Sequence, residues 1–154
     1  MPHTKMPSNS PIRRYEIDLN IVRIVRAASR FSSAPGLQIV AGGAPSRPEI
    51  PVVAVSGEVD ARSSAAFAAA LQALADAREG GVVMDLSGVE FIDSSGLAAL
   101  IDFGTVMRDR NLTWSLCALR SVARPLRILD EHMGRLIVDD IGDAVASVRG
   151  NDGR

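Results

Sequence analysis

The chain has 154 residues, of which 47% are apolar and 23% charged, with a net charge of −1 at pH 7. That length and composition suit one globular domain with a substantial core, and the near-zero charge excludes a general affinity for nucleic acid. Cys117 is the single cysteine, which excludes an internal disulfide and fits a reducing compartment, and no run approaches the roughly 20 apolar residues of a membrane span.

The charge is unevenly spread. Residues 1–33 carry six Lys or Arg against two acids, a net of +4, whereas residues 34–154 carry a net of −5. Residues 1–11, MPHTKMPSNSP, combine three prolines with polar side chains and predict disorder. Over residues 12–31, Ile17, Ile21, Ile24 and Ala28 recur at spacings of three to four, with arginines beside them. The segment reads either as a helix whose basic face meets a membrane surface or an acidic partner, or as a frayed tail. Residues 1–34 therefore form a basic extension, disordered or partly helical. Arg13-Arg14 does not open an export signal, because Asp18, Arg23 and Arg26 break the apolar run that should follow, so the expected location is the cytoplasm.

A regular pattern occupies 35–149, and 150–154 is a tail. Leu37–Val40 predicts a short strand, Gly42–Pro48 a loop, and Pro51–Ser56 a second strand that forms a hairpin with the first. The turn Gly57-Glu58-Val59-Asp60 leads into an Ala-rich helix with Phe67, Ala70, Leu71, Leu74 and Ala77 on one face, ended by Gly80-Gly81. Val82–Leu86 predicts a buried strand. The helix from Gly96 turns Leu97, Leu100, Ile101, Gly104 and Met107 inward. A strand over 112–119 holds Cys117 as a buried side chain. A helix over 122–132 follows, with Pro125 in its first turn, then a strand over 136–138 and a helix over 141–148. Strands separated by amphipathic helices require a mostly parallel sheet with right-handed crossovers. The expected class is α/β, with one antiparallel edge hairpin and helices packed against the sheet.

Catalytic patterns are absent from the sequence. His3 and His132 have no partner at metal-ligand spacing, no Gly-x-Ser-x-Gly elbow occurs, and neither phosphate-binding glycine motif is present. No cofactor or metal is expected, and no enzymatic activity. One segment stands out: Asp93-Ser94-Ser95-Gly96, where an apolar run gives way to a helix. Ser and Asp are favoured N-cap residues, so capping accounts for their types. The same place offers free backbone N–H groups and the positive end of the helix dipole, so a phosphate on Ser94 would meet a ready anion site.

The longer stretch Val83-Met84-Asp85-Leu86-Ser87-Gly88-Val89-Glu90-Phe91-Ile92-Asp93-Ser94-Ser95-Gly96-Leu97 resembles the signature of STAS domains, specifically bacterial anti-sigma factor antagonists. Ser56-Gly57-Glu58-Val59-Asp60 resembles the turn after the second strand of that family, and the order of elements agrees from about Leu37 to Val148. The resemblance implies a single STAS-like domain and a protein-binding switch. The unphosphorylated form would bind an anti-sigma factor that is itself a serine kinase. Phosphorylation of Ser94 would release it, and a phosphatase would reset it. Asp60 and Asp93 align with family acids beside the phosphoacceptor, and Ser95 and Gly96 with the rest of the helix start. Phe103 lies beside the inward stripe, and either reaches the partner or closes the edge of the core. The alternative within the family is an interaction module of a transporter or signalling complex that is never phosphorylated. Neither direct nucleic-acid binding nor stable membrane insertion is implied.

Overall fold

The computed structural model describes residues 36–44, 46–77 and 80–148. The expectations for residues 1–34 and for the tail lie outside them. Two strands, β1 (Leu37–Gly43) and β2 (Pro51–Val59), form an antiparallel pair in which Leu37 faces Gly57 and Gly43 faces Pro51. Helix α1 (Ser64–Ala77) crosses to β3 (Val82–Ile92), α2 (Ser94–Asp109) to β4 (Trp114–Ala118), and α3 (Arg120–Leu129) with α4 (Glu131–Leu136) to β5 (Ile137–Val138). Helix α5 (Ile141–Ser147) closes the domain. The sheet order is β1-β2-β3-β4-β5, and every pair after the first is parallel. Right-handed crossovers that always advance in one direction place their helices on one face of a sheet.

The period of two along the strands builds two cores. Val53, Val55, Met84, Leu86, Trp114 and Leu116 point to the face covered by α1 to α4. Their neighbours Val52, Ala54, Val83 and Cys117 point the other way and pack against Ala144, Val145 and Val148. Cys117 is thus the buried side chain its setting predicts, at 3% exposure. Ser115, also on the second face, donates its hydroxyl to the Ala144 carbonyl at 2.9 Å, which fixes α5 to β4. On the first face α1 buries Phe67, Ala70, Leu71 and Leu74, and α2 buries Leu97, Leu100, Phe103 and Met107. Each fully buried aliphatic side chain of this size contributes about 1.5–3 kcal/mol relative to exposure.

Three expectations are corrected. The strand expected to stop at Leu86 continues to Ile92. Ser87-Gly88 looks like a turn but sits in a register irregularity: Ala54 pairs with Asp85 and Ser56 with Gly88, so β3 carries the extra residue. The Asp85 side chain accepts from both the Ser87 N–H, at 3.0 Å, and the Ser87 hydroxyl, giving this buried carboxylate polar partners. The expected helix over 122–132 is two helices. Asp130, at φ −149° and ψ 110°, ends α3, and its carboxylate accepts from the N–H groups of His132 and Met133 to start α4. Because α3 begins at Arg120, Pro125 lies in its second turn, where the missing N–H removes a helical hydrogen bond.

Candidate functional site

The carboxyl ends of β2 and β3 lie side by side, with Val59 opposite Ile92. The next residues, Asp60 and Asp93, each begin the entry to a helix, and the Asp93 N–H donates to the Val59 carbonyl at 2.8 Å. Two helix approaches are therefore locked together by one backbone hydrogen bond.

Asp93 is the N-cap of α2. Its backbone is extended (φ −84°, ψ 177°), and its side chain accepts from the Gly96 N–H at 2.8 Å. Ser94 and Ser95 occupy the first two helical positions, and both are exposed. Their N–H groups have no acceptor among the described residues, so the two amides join the helix dipole in favouring a negative group there. Gly96 faces inward. A Cβ at this position would lie 2.6 Å from Ile92 Cγ1 and 2.7 Å from Val59 Cγ1. Its role is to let the first turn of α2 sit directly on the ends of the two strands.

Asp60 organises the neighbouring turn. Its carboxylate accepts from the Arg62 N–H at 2.9 Å and from the Arg62 guanidinium at 3.2 Å. Those two hydrogen bonds, the backbone one foremost, hold its carboxyl below the ordinary carboxylate range. The buried Ser63 hydroxyl donates to the Glu58 carbonyl at 2.7 Å and accepts from the Asp60 N–H at 3.0 Å. Gly57 precedes this turn at φ +109°, and a Cβ there would lie 1.8 Å from the Gly36 carbonyl oxygen. Only glycine fits a backbone so placed. Gly57, Glu58, Asp60, Gly88 and Glu90 line a shallow groove of about 450 Å³ beside the helix start.

The structure brings Asp60, Asp93, Ser94 and Ser95 to one edge with Gly96 beneath them. It does not bring Phe103 there. Phe103 is 3% exposed and packs edge-on against Trp114, with centroids 4.9 Å apart and an interplanar angle of 84°. Of the two readings open for it, the core position is the one observed, and its surface contribution is slight. Sequence reasoning also missed Arg62, the cation that pairs Asp60, and Ser121, whose hydroxyl donates to the Glu90 carbonyl at 3.2 Å and ties α3 to the end of β3. The spacing of Asp60 and Arg62, two residues apart across a tight turn, was the available signal for the first. Among the described residues no three His, Cys, Asp or Glu side chains are placed to hold a metal ion, and no helix is long and apolar enough to cross a membrane.

A five-stranded sheet with one antiparallel edge, and a capped helix start with an exposed serine at the ends of β2 and β3, define a small single-sheet α/β module. Residues 43–136 match the STAS_2 family, described as Mlab, STAS domain, and the chain belongs to the STAS domain family. Among solved structures, it is similar to an anti-sigma factor antagonist from Mycobacterium paratuberculosis, at 27% identity and a TM-score of 0.61. That match covers 76% of this chain and 98% of the other. The anti-sigma factor antagonist SpoIIAA in its unphosphorylated form shares the fold at 15% identity and a TM-score of 0.50, covering 63% of this chain and 84% of the other. No curated protein matches the chain.

Proposed function

We propose that this protein is an anti-sigma factor antagonist acting in the cytoplasm and controlled by phosphorylation of Ser94. In this reading the unphosphorylated edge formed by Asp60, Asp93, Ser94 and Ser95 binds an anti-sigma factor that is also a serine kinase. The kinase transfers the γ-phosphoryl group of ATP to Ser94 Oγ, leaving ADP. The added charge at the contact surface weakens binding, and a phosphatase that hydrolyses the phosphoserine restores it. The observation that carries the reading is the placement of Ser94, exposed at the first position of a 16-residue helix whose leading amides lack acceptors among the described residues. The likeness to an anti-sigma factor antagonist at 27% identity supports the partner class.

The test is affinity capture from lysate of the native cell with the parent, Ser94→Ala and Ser94→Asp proteins, followed by ATP addition and phosphosite mapping. Parent and Ser94→Ala capture the same partner, and only the parent is labelled. Ser94→Asp captures at least about tenfold less, equivalent to ~1.4 kcal/mol. Labelling of Ser94→Ala equal to that of the parent would overturn the site. Undiminished capture by Ser94→Asp would overturn the switch and favour a module that is never phosphorylated.

A further inference from the structure

The most exposed large apolar side chains among the described residues are Ile128, at 75%, and Leu129, at 60%, and both stand in the last turn of α3. Phe91, the next at 52%, lies opposite Glu58 at the carboxyl end of β3 and extends the helix-start edge already described. Ile128 and Leu129 line none of three grooves, those at Trp114, at Val106 and at Gly57, and instead project from a convex surface. Three arginines share that surface. Arg120, Arg124 and Ile128 follow at i, i+4 and i+8 along the outer side of α3, with Arg127 one turn from Arg124, while Val122, Ala123 and Leu126 fill the inner side. All three arginines are exposed, and none forms an ion pair among the described residues. The acids that follow in sequence are engaged, since Asp130 caps α4 and Glu131 pairs with Arg135. Arg120 is the first residue of its helix, where the dipole disfavours a cation, so helix stability does not account for it.

We propose that the outer face of α3 docks peripherally on an anionic lipid surface, with Ile128 and Leu129 entering the interfacial layer and Arg120, Arg124 and Arg127 pairing with phosphate headgroups. A cationic helix face with exposed aliphatics fits that environment. Headgroups supply the missing counterions, and a fluid interface accepts protruding side chains without a groove to receive them. An acidic protein would need a cavity shaped to the two projecting aliphatics, and that difference selects the lipid surface. The inner face of α3 stays in the core, so the contact is superficial and no span is formed. Residues 1–33, with a net of +4, are drawn to the same surface by charge alone, whatever their conformation. The inserted aliphatics stand at the far end of α3 from the helix start. Ser121 bonds to the Glu90 carbonyl, and Ile128 lies seven residues further, roughly 10 Å along the helix. The deepest point of contact is therefore away from Asp60 and Ser94.

Vesicle sedimentation with the full chain tests the proposal, comparing equal parts of phosphatidylglycerol and phosphatidylcholine with phosphatidylcholine alone. The parent partitions onto the anionic vesicles at least roughly tenfold more than onto the neutral ones, and less so as salt rises. Arg120→Gln, Arg124→Gln and Arg127→Gln together lower that partition by roughly tenfold or more, on the scale of about fivefold per arginine. Ile128→Ser with Leu129→Ser lowers it by roughly tenfold, while Val106→Ser, which removes an exposed aliphatic on α2, leaves it unchanged. All of these positions are exposed, so the variants keep the fold, as urea unfolding verifies. An environment-sensitive fluorophore on Leu129→Cys reads the contact directly, its emission shifting to the blue on anionic vesicles. The same label on Asp143→Cys, exposed on α5 across the sheet, does not shift, and Cys117 is too buried to take it. Binding that survives both sets of substitutions, with no shift at residue 129, places the attraction in residues 1–33 and overturns the docking. Failure of the parent to bind anionic vesicles also overturns it and leaves the patch to an acidic protein.

Discussion

The Asp93 N–H donates to the Val59 carbonyl at 2.8 Å, while the Asp93 carboxylate accepts from the Gly96 N–H at the same distance. One residue therefore joins the ends of two parallel strands through its backbone and starts a helix through its side chain. Both of these hydrogen bonds act on the residue next to Ser94, so they fix the backbone from which the exposed serine projects.

Asp93→Ala keeps the backbone bond and removes the cap. The expected loss is about 1 kcal/mol, within the usual range for N-cap truncation, measured by urea unfolding. Ser94→Ala, at an exposed position without a side-chain hydrogen bond among those described, changes stability by less than about 0.5 kcal/mol.

Gly96→Ala tests the seating of α2 on the strand ends. Its new methyl group would fall within 2.7 Å of Ile92 and Val59 side-chain carbons. Those side chains must move, so the substitution costs about 1–3 kcal/mol despite the better helix propensity of alanine. Gly57→Ala is harsher, because the obstacle is the Gly36 backbone and φ is +109°. The corresponding loss exceeds that of Gly96→Ala in the same unfolding experiment.

Much of this was legible beforehand for physical reasons. Alternating apolar residues separated by helical stripes fixed the mixed sheet, and Asp93-Ser94-Ser95-Gly96 carried its own capping chemistry. What stayed hidden depended on neighbours distant in sequence. Ser87-Gly88 is turn-like in composition, yet pairing with β2 absorbs the extra residue as an irregularity within β3. Periodicity places Phe103 beside a single inward stripe, but α2 packs against α1 as well as the sheet, so its buried arc is wider. The break at Asp130 was signalled by an N-cap residue inside an apolar helical run. Helical periodicity alone passes over such a signal.

The packing of Phe103 gives a separate prediction. Phe103→Ala removes a nearly fully buried ring and its edge-on contact with Trp114. Destabilisation of about 3–5 kcal/mol is expected. Phe103→Leu retains most of the volume and loses less. Partner capture by the folded Phe103→Leu protein matches the parent, as measured by the affinity assay, because the ring offers little surface.

Arg62→Ala should raise the pKa of Asp60 by removing the guanidinium, though only in part, since the backbone N–H of residue 62 still donates to the carboxylate. The sign of the linkage follows from the lowered folded-state value. Asp60 stabilises the fold above the ordinary carboxylate range, and this contribution is lost as pH falls through its lowered pKa. NMR titration of the Asp60 carboxyl in the parent and variant reads the shift directly. An unchanged titration would exclude the Arg62 guanidinium as a cause and leave the backbone N–H of residue 62.

Charge added at Ser94 has two opposing effects on the fold. The leading amides and dipole of α2 favour an anion by about 0.3–1 kcal/mol. The neighbouring Asp93 carboxylate opposes it by a similar amount across a solvated edge. The Ser94→Asp protein should therefore unfold within about 0.5 kcal/mol of the parent, measured in urea at low salt. A switch requires that balance: the modified edge must lose its partner while the domain beneath it stays folded. Capture lost together with a large loss of stability would point to a disrupted helix start, and the effect on binding would then no longer argue for recognition of charge at Ser94.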